Sequence, residues 1–310
     1  MQIGMVGLGR MGMNMARRLA GGGHEVCAYD ITPAAVSLAV KEGMKGANTL
    51  DELADMLKAP RVVWLMVPAG RPVDDAVDAL GKILRRGDTV IDGGNSYYKD
   101  DLRHEAALKP KGISYMDVGV SGGIWGLEKG YCLMAGGDEK LYKKLTPVFD
   151  TLAPGDAHLC CGAVGAGHFV KMVHNGIEYG MMSAYGEGFD ILNSSGYAKG
   201  LDYGKVARLW NNGSVIRSWL LELAGSAFEK HPDLSGVEPY VEDSGEGRWT
   251  VQQAIETATP APVITAALYQ RFSSRGSGSF SDSLLAALRN EFGGHALAKK
   301  KKPGRRKAGE

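Results

Sequence analysis

Gln2-Ile3-Gly4-Met5-Val6-Gly7-Leu8-Gly9-Arg10-Met11-Gly12 is the stretch that decides the fold. Its short apolar run, Ile3 to Val6, reads as a strand. Gly7, Gly9 and Gly12 follow in the pattern GxGxxG, and a helical stretch comes after them. Three glycines alone carry little weight, but a strand before them and a helix after them are the context the motif requires. The first glycine permits the tight turn. The second lets the backbone approach a pyrophosphate, and the third lets the helix pack on the strand. Amides at the helix N-terminus then meet the phosphate charge. The whole loop, with Leu8, Arg10 and Met11 between its glycines, is a candidate dinucleotide site.

Working outward, Glu25 to Tyr29 is the next strand candidate, and Asp30 ends it 18 positions after Gly12. A carboxylate near that spacing accepts from the ribose 2′-hydroxyl of NAD and repels the 2′-phosphate of NADP. Ile31 and Thr32 follow, so no arginine stands ready for that phosphate. NAD is the expected cofactor, with NADP use left open. The plainer alternative is that Asp30 caps its own turn.

Further strand candidates are Val62 to Val67, Thr89 to Asp92, Tyr115 to Val118, Tyr131 to Ala135 and Ala157 to Cys160. Thr32 before Pro33, Thr49 before Asp51 and Glu52, and Asp138 before Glu139 are helix-start signals. The alternation predicts an α/β domain over residues 1–163, a doubly wound, mainly parallel Rossmann-type sheet. Ligands lie beyond the carboxyl ends of such strands. Val67, Pro68 and Ala69 would therefore run along a cofactor ribose, and Asn95 in Asp92-Gly93-Gly94-Asn95-Ser96 would face nicotinamide and substrate. An Asx turn is the other reading of Asn95. Ser121, Gly122 and Gly123 offer a hydroxyl and bare amides suited to an anion.

Beyond about residue 164 strand signals fade. One long helix is expected from Gly165 to about Ser194, and further helices over 202–230, 248–258, 262–273 and 281–292. An all-helical domain over 164–297, for substrate and oligomerisation, thus follows the sheet domain. Residues 298–310 form a basic tail, Lys299 to Lys302 and Arg305 to Lys307, expected to be a solvated and disordered terminus.

The net charge of +1 leaves no strong field for nucleic acid or membrane, and neither partner is expected. No apolar run reaches the length of a membrane span, and no export signal is expected ahead of Gln2. Cys27, Cys132, Cys160 and Cys161 fit neither a disulfide framework nor a zinc site, so no metal is expected and a reducing cytoplasm is.

The chemistry concentrates in Gly165 to Tyr179, GAGHFVKMVHNGIEY. Lys171, His174, Asn175 and Glu178 stand at i, i+3, i+4 and i+7, one face of a helix whose other residues are mostly apolar. A salt-bridged surface face is the bland alternative. A lysine among apolar neighbours can be neutral near pH 7 and act as a general base, and a glutamate can serve as acid at a second atom. Arg248, Arg271, Arg289 and His295 are candidate phosphate ligands, because an arginine fork matches phosphate geometry.

The runs GLGRMG (7–12), DGGNS (92–96), GVSGG (119–123) and above all GAGHFVKMVHNGIEYG (165–180) resemble 6-phosphogluconate dehydrogenase, decarboxylating, over residues 1–297. The wider β-hydroxyacid dehydrogenases share the glycine loop and a lysine but lack the HNGIEYG continuation. Gly123 to Met134 and the total length resemble the family's short form. The resemblance implies that Lys171 takes the 3-hydroxyl proton and that the 3-keto acid loses carbon dioxide. It further implies that Glu178 protonates the enediol to give ribulose 5-phosphate. Asn95, Ser121, Gly122, Gly123, His174, Asn175 and Tyr179 would hold the carboxylate and hydroxyls of the sugar acid. Arg271 beside Ser273-Ser274, and Arg289 and His295 in R-x-x-F-G-x-H, would serve the phosphate. The C-terminal segment is implied to reach a neighbouring subunit of a dimer or tetramer. Three departures stand out. Asp30 replaces an Asn-Arg-Thr run of NADP-using relatives. Ser244 to Trp249 replaces a lysine-bearing KGTGKW run, with Arg248 as the substitute. The basic tail has no counterpart.

Two rival readings remain. A non-decarboxylating hydroxyacid dehydrogenase would need Lys171 but has little use for Glu178 and the C-terminal basic residues. A non-enzymatic NAD-binding regulator would be free to lose both Lys171 and Glu178.

Overall fold

The computed structural model describes residues 1–275 and 278–294; His295 and the basic tail lie outside them. The chain divides into two compact units, Met1–His174 and Asn175–Glu310. The first holds β1 (Gln2–Val6), α1 (Arg10–Gly21), β2 (Glu25–Tyr29), α2 (Pro33–Lys41), β3 (Lys45–Gly46), α3 (Leu50–Met56), β4 (Val62–Leu65) and α4 (Arg71–Ile83). It continues with β5 (Thr89–Asp92), α5 (Tyr98–Leu108), β6 (Ser114–Ser121), the single turn α6 (Gly126–Lys129), β7 (Cys132–Gly136), α7 (Glu139–Leu152) and β8 (His158–Gly162). The division falls within α8 (Ala166–Asn193).

The strands make one sheet in the order β3-β2-β1-β4-β5-β6-β7-β8. All neighbours run parallel except β6 and β7, which pair antiparallel from Asp117–Gly136 to Ser121–Cys132. The chain leaves β1 in one direction for β2 and β3, then returns to β4 on the other side. That reversal opens a crevice at the carboxyl ends of β1 and β4, where a doubly wound sheet holds ligands. Val62, Val63, Trp64 and Leu65 are all buried, as expected of a strand covered on both faces. One face packs Met13, Met15 and Leu19 of α1 with Val148, Phe149 and Leu152 of α7. The other packs Leu53 of α3 with Val73, Val77 and Leu80 of α4. Each such side chain contributes roughly 1.5–3 kcal/mol by leaving water. The sequence reading has no strand at Lys45–Gly46, because two residues are too few to show a period.

In the second unit α8 is followed by α9 (Tyr203–Asn211), α10 (Trp219–Lys230), α11 (Glu246–Glu256), α12 (Pro262–Ser273) and α13 (Phe280–Gly293). The stretch 202–230 is broken between α9 and α10, and side chains explain the break. Asn211 accepts from the backbone of Ser218 at 2.9 Å, and Ser218 caps α10 by accepting from Leu221 at 3.0 Å. Phe189, Tyr203, Phe228 and Phe280 stack edgewise and face to face at the centre of this unit. A reciprocal Ser279–Asp282 cap opens α13. Among the described residues no helix is long and apolar enough to cross a membrane.

Candidate active site

The turn after β1 is built as the glycine pattern requires. Gly7 has φ +93°, and a Cβ there would stand 2.5 Å from the Met66 carbonyl oxygen. A Cβ at Gly12 would lie 2.0 Å from the Gly7 carbonyl oxygen, so α1 rests directly on the turn. At Gly9 a Cβ would meet nothing within 4 Å. Gly9 is also the N-cap of α1, which has neither a side-chain cap nor an acidic residue in its first turn. An uncapped helix start beside open space fits a dinucleotide pyrophosphate, with Leu8 before it and Arg10 and Met11 opening the helix. Asp30 accepts from the Leu8 amide at 2.6 Å and from the Thr32 amide at 2.7 Å. It therefore braces the glycine loop while keeping lone pairs for a ribose hydroxyl. Val67, Pro68 and Ala69 follow β4 at the same sheet edge.

Asn95 is exposed at the tip of the loop after β5. Asp92 closes that loop by accepting from the Gly94 amide at 2.9 Å and the Ser96 hydroxyl at 2.6 Å. Ser121 ends β6, and Gly122 and Gly123 turn the chain with φ of +123° and +55°. All three are half-buried.

The start of α8 is seated on bare backbone. A Cβ at Gly119 of β6 would stand 2.3 Å from the Lys171 Cβ, and one at Gly167 would stand 2.3 Å from the Met134 carbonyl oxygen. Asp117 of β6 caps the helix across the fold, accepting from the amides of Gly165 at 2.6 Å and His168 at 2.7 Å. Lys171 is 7% exposed. His174 and Glu178 are half-buried, and Asn175 and Tyr179 are buried. The helix is unbroken from Ala166 to Asn193, so the i, i+3, i+4, i+7 spacing holds. Sequence reasoning passed over Asp117, Gly119 and Gly167. The signal was present: an acid and a glycine interrupt the apolar run Tyr115-Met116-Asp117-Val118-Gly119-Val120, where a plain buried strand carries neither.

Beneath this seat lies a buried ion pair, His168 Nδ1 with Asp101 Oδ2 at 2.8 Å. Burial opposes the charge on His168, but Asp101 and the nearby Asp92 and Asp117 outweigh it and push its pKa up to about 9. Burial raises Asp101 to about 6 against the pull of His168. Both folded values lie above the ordinary ones, so between about pH 4 and pH 9 the native state holds more protons than the unfolded chain. The His168 contribution is complete below its ordinary pKa and is lost as pH rises through about 9. Urea midpoints measured from pH 6.5 to 9.5 are expected to fall with rising pH, and less steeply in His168→Gln. Parallel curves would show that the imidazole does not hold its proton in the folded state.

In the second unit Arg271 is 2% exposed, its guanidinium 3.3 Å from the centre of the Tyr179 ring. It donates to the Glu242 carbonyl at 3.1 Å, and among the described residues no carboxylate forms an ion pair with it. Burial lowers its pKa to about 10, and the charge of Arg289 presses the same way. Arg271 therefore stays cationic at neutral pH. The Tyr179 hydroxyl is buried without a hydrogen-bond partner among the described residues. A buried cation beside an unsatisfied hydroxyl suits an anion. Arg289 is itself buried on α13. Arg248 is differently placed: its guanidinium forks onto Asp243, which it shares with Arg275, and holds that carboxyl below the usual range. His295 lies outside the described residues.

Residues 2–165 match the family model for the NAD-binding domain of 6-phosphogluconate dehydrogenase, and 167–281 and 194–308 match the model of its C-terminal domain. The chain belongs to the 6-phosphogluconate dehydrogenase family. It is 46% identical over 302 residues to the NAD(+)-dependent, decarboxylating 6-phosphogluconate dehydrogenase of Haloferax volcanii, covering 97% of this chain and 99% of that one. Among solved structures, 6-phosphogluconate dehydrogenase of Plasmodium falciparum superposes with a TM-score of 0.79 at 31% identity, covering 88% of this chain and 62% of that one. The 3-hydroxyisobutyrate dehydrogenase of Mycobacterium tuberculosis gives a TM-score of 0.73 at 23% identity, covering 91% and 97%, a likeness of fold. Membership agrees with an NAD-binding domain built on a Rossmann-type sheet and with a helical second half.

Proposed function

We propose that this family member oxidises 6-phosphogluconate and decarboxylates it to ribulose 5-phosphate and carbon dioxide, with NAD as preferred cofactor. The observation that carries the reading is α8, a single helix bearing a nearly buried Lys171 and, seven residues on, Glu178. Residues 1–163 serve as the dinucleotide domain and 164–297 as the substrate and oligomerisation domain. Gly7 to Gly12 and Asp30 hold the cofactor, with Val67 to Ala69 along its ribose. When bound, the nicotinamide supplies the hydride acceptor. Lys171, as the neutral amine, takes the proton of the substrate 3-hydroxyl. As ammonium it then donates to the same oxygen while that oxygen gains charge and carbon dioxide departs. Glu178 delivers a proton to the first carbon of the enediol. Asn95, Ser121, Gly122, Gly123, His174 and Asn175 hold carboxylate and hydroxyls. Arg271 and Tyr179 take the phosphate, with Arg289 and His295 contributing. Self-association, with the C-terminal segment reaching a neighbouring subunit, belongs to the same proposal, as does a reducing cytoplasm, where the four cysteines stay free.

Mixing the protein with 6-phosphogluconate and NAD tests the reading, with reduced nicotinamide followed by absorbance and carbon dioxide measured beside it. Equimolar formation of both is the expected result. Reduction without carbon dioxide would replace the reading by a non-decarboxylating hydroxyacid dehydrogenase.

Cofactor choice has its own test. Ile31 is 88% exposed, so replacing it costs no packing. Ile31→Arg should raise NADP use relative to NAD about tenfold or more, since a charge-assisted contact contributes about 1.5–3 kcal/mol. It leaves the brace from Asp30 to Leu8 in place, which Asp30→Ala would cut. An unchanged ratio of the two kcat/KM values would mean that this turn does not read the ribose.

A further inference from the structure

A chain of buried polar contacts runs through the first unit from the Asn95 loop to the start of α8, with His104 branching from it at the Tyr115 hydroxyl, 3.3 Å away. Asp92 holds the loop through the Gly94 amide and the Ser96 hydroxyl. The Tyr115 hydroxyl lies 3.4 Å from Asp92 Oδ2 and donates to Asp101 Oδ1 at 2.9 Å. Asp101 Oδ2 accepts from His168 Nδ1 at 2.8 Å, and His168 stands one helical turn before Lys171. Asp117 fixes the same turn by its two backbone contacts. Asp92, Asp101, Asp117, Tyr115 and His168 are all buried.

As stabilising elements these groups are a poor choice. A buried ion pair loses most of its Coulombic gain to desolvation and is often replaced by apolar side chains without loss of stability. The His168 Nε2 atom is moreover buried with no partner among the described residues, a further cost that an apolar residue would avoid. What a pair of fixed, directional charges does provide is register. The pair itself ties α5 to α8, the helix of Lys171. Tyr115 and Asp92 carry the contact on to the loop of Asn95, read above as facing nicotinamide and substrate.

We infer that Asp101 and His168 are positioning residues for the reaction, holding Lys171 in register with the Asn95 loop through Tyr115 and Asp92. The inference rests on the proposed roles of Lys171 and Asn95. A misplacement of about 1 Å at a reacting group can cost on the order of a hundredfold in rate.

The test replaces the pair by apolar residues, Asp101→Leu with His168→Leu, and compares it with Asp101→Asn, which keeps an acceptor for the imidazole. The apolar double variant is expected to keep its melting temperature and its affinity for NAD within about threefold. Its kcat should fall about ten- to a hundredfold. Asp101→Asn should recover most of that loss. A folded double variant with wild-type kcat would overturn the inference, as would a loss in which kcat merely follows the folded fraction. If the double variant does not fold, Tyr115→Phe, which cuts the same path at its middle, with an unchanged kcat and an unchanged exchange pattern would do the same. Amide hydrogen exchange gives a readout free of turnover. In the double variant, or in Tyr115→Phe, the amides of Gly94 to Ser96 and of His168 to Met172 should lose protection together, and separate behaviour counts against the inference. Wild-type protein that fails to oxidise 6-phosphogluconate would refute the assigned reaction instead, and the exchange result would then decide whether the coupling exists.

Discussion

Lys171→Met should leave reduced-nicotinamide formation at about a thousandth of the wild-type rate or less, while 6-phosphogluconate binds within about tenfold of normal. General acid–base groups contribute about 10²- to 10⁴-fold, and the proposed mechanism asks one amine to serve two steps, which places the loss toward the upper end. Methionine keeps the unbranched apolar stem against the bare strand at Gly119, so the seat of α8 survives. Single-turnover absorbance with enzyme in excess separates the chemical step from product release. A residual rate within tenfold of wild type would remove Lys171 from the role of base. Wild-type helical circular dichroism in the variant would exclude unfolding as the reason for its loss.

Arg271→Met should raise KM for 6-phosphogluconate about a hundredfold or more and leave kcat nearly unchanged. The guanidinium is buried, cationic at neutral pH, and unpaired by any carboxylate among the described residues. Truncating one member of a desolvated charge pair costs about 2–5 kcal/mol, and each 1.36 kcal/mol is tenfold. Unphosphorylated gluconate makes no such pair, so its feeble turnover should hardly change. If gluconate and 6-phosphogluconate suffer alike, Arg271 supports the Tyr179 ring and does not bind phosphate.

Elements with a period or a punctuation mark were legible in the sequence. The helix at Pro262–Ser273 is where proline at its first position puts it, and α8 spans Ala166–Asn193 as its composition predicts. The spacing from the glycines singled out Asp30 as a candidate for the ribose, but gave no sign of its hydrogen bond to Leu8. What escaped the reading joins residues far apart in the chain. The Asp117 cap on α8 spans 48 residues to Gly165, and the Asp101–His168 pair spans 67. No local pattern marks such pairs before the chain folds. Arg248 shows the same limit at short range: Asp243 stands only five residues earlier, but across a loop where no period says which side chains meet.

The clearance at Gly119 also bears on how this enzyme can change over time. The lysine is held against the sheet with less room than a methyl group needs, so almost any substitution beneath it pushes the amine out of place. Ile31, next to Asp30, which we propose reads the cofactor ribose, is by contrast almost wholly in solvent. A population of variants would explore NAD and NADP preference freely, one exposed residue at a time, while the acid–base step stays locked until strand and helix change together. Cofactor choice should therefore diverge among close relatives long before reaction type does, and a library aimed at new cofactor use belongs at Ile31 and Thr32, not under α8.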